Sequence, residues 1–89
     1  MKNYKFIIRG KVQGVSYRKN VSQNSSKENF NGFVKNLSDG SVEACVACNE
    51  SDLSRFVEIL EKGSPESIVK KIERFSHDET FNSGFEIKY

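Results

Sequence analysis

The sequence predicts an α+β domain in which two helices lie on one face of a mostly antiparallel sheet. Three observations carry that reading. Segments rich in aromatic and β-branched residues alternate with two helical patterns in the order β-α-β-β-α-β. An Asp-Gly pair joins two neighbouring strand segments. The second helical segment carries a clear apolar stripe. The 89 residues form one domain, 1–89, with no internal repeat and no linker.

Each element has its own local signal. Tyr4 to Arg9 (YKFIIR) reads as the first strand, and Gly10 to Tyr17, with two glycines, as a loop. Lys19 to Asn29 reads as a helix, but a weak one. Val21 is its only aliphatic residue, Ser22, Asn24, Ser25 and Ser26 are poor helix formers, and Asn29 suits a left-handed close. Gly32 to Leu37 and Ser41 to Cys48 are the next two strands, with Ser38-Asp39-Gly40 as their hairpin turn. Ser51 is the expected cap of the second helix, whose Leu53, Phe56, Val57 and Leu60 fall at i, i+3, i+4 and i+7 before Gly63 and Pro65 end it. Ser67 to Phe75 is a fourth strand with imperfectly phased Ile68, Ile72 and Phe75. Ser76 to Gly84 is a polar loop, and Phe85 to Ile87 a short extra strand at the sheet's edge. This order makes a ferredoxin-like βαββαβ sandwich. Its first crossover returns the second strand parallel to the first, so Asn36 is expected at the end of the sheet that carries the Gly10–Arg18 loop.

Composition narrows the function classes. With 36% hydrophobic and 29% charged residues the chain is globular, and no apolar run is long enough to span a membrane. Lys2-Asn3-Tyr4 leads directly into the first strand without a signal-like apolar region, so the expected location is cytoplasmic. A chain this short buries about 60–65% of its unfolded surface, which predicts a modest core. The net charge of +2 divides into +7 over residues 1–36 and −5 over residues 37–89. The basic section suits an anionic ligand, either a small phosphate or a nucleic acid, or is simply a solvated surface.

Several residue types that often carry chemistry read as structural here. Cys45 and Cys48 form a C-x-x-C pair, but on a strand, where positions three apart face opposite sides. One pair supplies half of a zinc site, and His77 is the only histidine, so both thiols are expected to be reduced and structural. His77 reads as a loop residue, Asp39 as a turn former, and Phe6, Phe30, Phe33 and Phe56 as shared between core and sheet surface.

The loop Gln13-Gly14-Val15-Ser16-Tyr17-Arg18 has more specific chemistry. Gly14 lets the backbone turn so that successive N–H groups converge, and the following helix adds free donors and the positive end of its dipole. Arg18 contributes a planar guanidinium able to grip two phosphate oxygens. Together these make a phosphate cradle. The same features also occur in tight turns with a surface arginine that bind nothing, and the residues by themselves leave both readings open.

Gly10-Lys11-Val12-Gln13-Gly14-Val15-Ser16-Tyr17-Arg18 resembles the first signature of the acylphosphatase family, and Gly32 to Glu43 (GFVKNLSDGSVE) resembles the second. The likeness continues through Gly63-Ser64-Pro65 into the last strand. It implies the ferredoxin-like fold and the hydrolysis of small acyl phosphates to carboxylate and inorganic phosphate. Arg18 would bind the phosphate, the main chain from Gln13 through Gly14, Val15, Ser16 and Tyr17 to Arg18 would complete the cradle, and Asn36 would orient the attacking water. The resemblance calls for no metal, no cofactor and no covalent intermediate, and implies a small-molecule substrate; no nucleic acid or membrane partner is expected, and a monomer is the default expectation. Ser16-Tyr17 replaces the family's usual Gly-Phe. In the first helix Ser25, Glu28 and Asn29 stand where Ala, Leu and Gly are usual, so that helix is expected to be loosely held. Two rival readings are an RNA-recognition domain, which shares the element order and stacks bases on sheet aromatics, and an inactive or accessory domain of a larger carbamoyl-transfer enzyme.

Overall fold

The computed structural model describes residues 2–76 and 84–89. The elements are β1 (Lys2–Lys11), α1 (Tyr17–Lys27), β2 (Asn31–Asn36), β3 (Val42–Cys48), α2 (Leu53–Lys62), β4 (Ile68–Ser76) and β5 (Phe85–Lys88). A single sheet runs β4-β1-β3-β2-β5. β1 and β2 both pair antiparallel with β3, so they run parallel to each other, and β5 joins β2 as a parallel edge strand. This is the predicted ferredoxin-like sandwich with its extra edge strand.

Strand alternation sorts the side chains between the two faces. Phe6 and Ile8 of β1, Val34 of β2, Val42, Ala44, Val46 and Cys48 of β3, and Phe85 of β5 are buried against Val21 of α1 and Leu53, Phe56, Ile59 and Leu60 of α2. Phe56 sits at the centre, with ring centroids 5.7 Å from Phe6, 5.3 Å from Phe30 and 5.9 Å from Phe85. Such tilted and edge-on pairs add about 0.5–1.5 kcal/mol each beyond simple burial. Phe33 is excluded from this core. It lies on the other face, 6% exposed, with the Lys88 ammonium 4.1 Å from its ring centroid.

Two elements depart from the sequence reading, and a third, β4, shows the expected uneven phase with its cause. First, α1 begins at Tyr17 rather than Lys19, because Ser16 turns the chain at φ 60°, ψ 25° and Tyr17 starts the buried stripe Tyr17, Val21, Ser25. It ends at Lys27 in a Schellman close. Asn29, at φ 61°, donates to Ser26, and the Phe30 N–H donates to the Ser25 carbonyl at 3.0 Å. Second, Ser51 does not cap α2. It lies within a 3-10 turn (Glu50–Asp52), and Asp52 occupies the cap position without a side-chain bond. Third, the uneven phase of β4 has a physical cause. Its register with β1 shifts between Arg9 and Gly10, so Lys70 is extra and Val69 and Ile72 both pack inward, leaving Ile68 and Phe75 exposed. Gly10 makes that bulge possible, since a Cβ there would stand 2.1 Å from the Ile68 carbonyl oxygen.

Cys45 and Cys48 occupy opposite faces as alternation requires. Cys48 packs in the core, whereas Cys45, buried on the far side, lies 3.7 Å from the Glu43 carboxylate. Burial pushes the Cys48 thiol up from its ordinary value, with the Asp52 charge adding to the effect. His77 and the interior of the expected 76–84 loop lie outside the described residues.

Candidate active site

The loop between β1 and α1 ends in a helix start that no side chain caps. Gly14 at φ 73° and Ser16 at φ 60° place two left-handed residues within three positions, a backbone shape that turns successive N–H groups toward one side. Among the described residues, the N–H groups from Gly14 to Lys19 have no hydrogen-bond partner within the protein. These groups also carry the positive end of the α1 dipole, so an anion placed against them meets both donors and favourable potential.

Three internal contacts hold the loop in place. The Gln13 side-chain amide donates to the carbonyls of Leu37 at 2.8 Å and Ser41 at 2.9 Å, tying the loop to the base of the β2–β3 hairpin. Tyr17 turns its ring into the core, 1% exposed, and its hydroxyl donates to the Leu60 carbonyl at 2.8 Å. Burial drives its phenol well above the ordinary tyrosine range, so Tyr17 stays neutral. The Ser64 hydroxyl donates to the Val15 carbonyl at 2.6 Å. Tyr17 therefore anchors the loop, and its hydroxyl is committed to α2 rather than to the mouth of the cleft.

A cleft of about 180 Å³ opens over this loop, lined by Val12, Gly14, Ser16, Tyr17, Arg18, Lys19, Asn36, Ile87 and Tyr89. The volume suits a phosphate group and little more. The structure thus brings Gly14, Ser16, Tyr17, Arg18 and Asn36 to one place, at the end of the sheet expected from the topology. Gln13 and Val15 do not line the cleft. The Gln13 amide is occupied by the hairpin, and the Val15 side chain is buried in the core. Asn36 projects to the helix side of β2, in phase with Gly32 and Val34. Its side-chain oxygen is buried and has no hydrogen-bond partner among the described residues. A buried acceptor left unpaired costs about 1–3 kcal/mol.

Arg18 has a support that the sequence reading missed. Its Nη1 donates to the Lys88 carbonyl at 3.0 Å, and the guanidinium carbon lies 4.8 Å from the centroid of the Tyr89 ring. The edge strand β5, parallel to β2, thus brings its end beside the arginine and orients it before any ligand binds. No composition signal marks Lys88 for this role, because the contact uses a main-chain carbonyl. Lys19 adds a second cation to the rim.

The remaining candidates keep structural roles. Asp39 accepts from the Ser41 hydroxyl and, at 2.9 Å, from the Ser41 N–H, and it meets Arg9 at 3.3 Å. The Ser41 hydroxyl, then the Ser41 N–H and Arg9, hold its carboxyl below the ordinary range. Arg9 also binds Glu73 at 2.9 Å. These exposed pairs fix the hairpin to β4 and lie outside the cleft. Among the described residues no three His, Cys, Asp or Glu side chains are grouped to hold a metal ion.

Comparison with known proteins agrees with this arrangement. The family model described as Acylphosphatase matches residues 4–87. An acylphosphatase of Haloarcula marismortui is 34% identical over 83 residues, covering 93% of this chain and 91% of the relative. The crystal structure of acylphosphatase from Bacillus subtilis superposes with a TM-score of 0.89 at 37% identity, covering 100% of both chains. The same fold also occurs within a longer protein. The structure of HypF from T. kodakarensis matches with a TM-score of 0.82 at 33% identity, over 98% of this chain but 12% of that one. With the family model spanning nearly the whole chain, and the signature loop and Asn36 meeting in one cleft, this chain belongs to the acylphosphatase family of hydrolases.

Proposed function

We propose that this chain hydrolyses small acyl phosphates by direct in-line attack of water on phosphorus. The observation that carries this reading is the single cleft lined by Arg18, Asn36, Gly14 and Ser16, on a loop whose N–H groups have no hydrogen-bond partner among the described residues. The phosphoryl group sits on the loop, with Arg18 and the N–H groups against its equatorial oxygens, where charge is carried in the transition state. Asn36 accepts one hydrogen of a water molecule and holds its oxygen in line. The water oxygen bonds to phosphorus as the bond from phosphorus to the carboxyl oxygen breaks. The carboxylate leaves with the electron pair, and the water's proton passes to a phosphate oxygen.

Few groups suffice because of the leaving group. A carboxylate is a weak base and departs without a proton, so no general acid is required. The cations and N–H groups supply the charge stabilisation that a metal supplies in other phosphoryl transfers. The chain works in this reading as a single domain and a monomer, located in the cytoplasm. The geometry favours it over base stacking on the sheet. Phe33, the aromatic that such stacking needs, is covered by Lys88, while the loop that an RNA reading leaves without a role is the one built for an anion. The test is hydrolysis of benzoyl phosphate followed by ultraviolet absorbance with a chelator present. We expect turnover unaffected by the chelator and competitively inhibited by inorganic phosphate, the product. No turnover, or turnover that the chelator abolishes, would contradict the proposal.

A further inference from the structure

We propose that Ser64, in the turn between α2 and β4, is a positioning residue that aims the Ser16 N–H into the phosphate site; this rests on the acyl phosphate reading above. Ser64 is 5% exposed, and its hydroxyl donates to the Val15 carbonyl at 2.6 Å. Among the described residues that carbonyl receives no main-chain N–H. The peptide joining Val15 to Ser16 is trans, so its carbonyl and its N–H point in opposite directions. Drawing the carbonyl inward to Ser64 therefore turns the Ser16 N–H outward. Ser16 lines the cleft, and its N–H has no partner among the described residues.

The hold has to come from outside the loop. Ser16 is not glycine, yet it sits at φ 60°, a conformation that opposes a side chain, and its own hydroxyl makes no capping bond. Ser64 is itself fixed. Its N–H donates to the Ser67 hydroxyl at 3.0 Å, which returns a bond to the Ser64 carbonyl at 2.9 Å. The preceding Gly63 lets the turn press against Tyr17, since a Cβ there would stand 2.7 Å from the Tyr17 ring. The turn after α2 and the loop before α1 form one unit, although 49 residues separate Val15 from Ser64.

The test compares wild type, Ser64→Ala, Ser64→Cys and Ile59→Val by benzoyl phosphate kinetics, with inorganic phosphate as inhibitor and as ligand in an amide NMR titration. Ser64→Cys keeps nearly the same volume and a weaker donor, so it decides the matter if the alanine variant does not fold. Ile59→Val is a buried change on α2 that leaves the Val15 carbonyl untouched. In Ser64→Ala, KM and the phosphate inhibition constant should each rise about tenfold, a smaller effect than deleting a donor outright because the N–H is misaimed rather than removed. The phosphate-induced shift of the Ser16 amide should shrink by more than half. Ser64→Cys should fall between, and Ile59→Val should leave KM and the inhibition constant unchanged. A purely structural serine would lower the active fraction, and so kcat, without moving either constant. The inference is overturned if both constants stay within twofold in the folded serine variants, or if phosphate leaves the wild-type Ser16 amide unmoved. Wild type that shifts the Ser16 amide but hydrolyses nothing would refute the reaction and leave the positioning role standing.

Discussion

Replacing Ser25 by alanine should stabilise the fold, by an amount that follows from the structure. Ser25 is on the inner face of α1, 0% exposed, and its hydroxyl oxygen has no hydrogen-bond partner among the described residues. A serine within a helix commonly bonds back to the carbonyl four residues earlier; this one does not. Removing the hydroxyl relieves a buried polar group, worth about 1 kcal/mol at the low end of measured penalties. Alanine is also the better helix former, by about 0.5 kcal/mol. One oxygen atom leaves a negligible cavity, so the sum is about 1.5 kcal/mol. For a domain of this size that raises Tm by about 6–12 °C. Thermal unfolding followed by circular dichroism gives the answer directly, and amide exchange should show that the gain falls on α1. An unchanged or lower Tm would refute the reasoning, because it would mean that the hydroxyl is satisfied.

Two further outcomes follow. Stability should be nearly flat with pH around neutrality and fall at alkaline pH. Burial raises the Tyr17 pKa, so its contribution is complete below the unfolded value of about 10 and is lost as pH rises beyond it. Asp39 and Glu73 are lowered by hydrogen bonds, chiefly from Ser41 and Arg9 respectively, so their contribution is present above about pH 4 and fades below it, weakly because both are exposed. Urea midpoints across pH measure both, and Tyr17→Phe should remove most of the alkaline loss. Both cysteines are buried on opposite faces, so a thiol reagent should label neither until the protein unfolds, and mild oxidation should leave the two unlinked.

Much of this architecture is legible in the residues, and the exceptions have physical causes. The order of elements, the Asp39-Gly40 hairpin and the apolar stripe of α2 are local patterns, and they carry the fold. The meeting of Asn36 with the loop follows from the parallel return of β2. What local pattern does not reveal is contact made through main-chain atoms or through distant segments. The Lys88 carbonyl on Arg18 and the Val15 carbonyl on Ser64 involve no distinctive side chain at the acceptor. The Gln13 side chain acts as a clamp on two hairpin carbonyls, a contact that the loop's sequence does not mark. The phase of β4 is hidden by a bulge that depends on Gly10 in another strand. The start of α1 is missed because Tyr17, an aromatic next to a charged residue, is in fact the first member of the buried stripe.

The most direct test of the central claim is the rate of benzoyl phosphate hydrolysis in wild type, Arg18→Ala and Asn36→Ala, each checked for folding by circular dichroism. Loss of the guanidinium removes the main charge stabiliser, and loss of the amide removes the hold on water, so kcat/KM should fall by about a hundredfold to a thousandfold in each. If either folded variant keeps close to wild-type kcat/KM, the cleft at Arg18 and Asn36 is not where the reaction takes place.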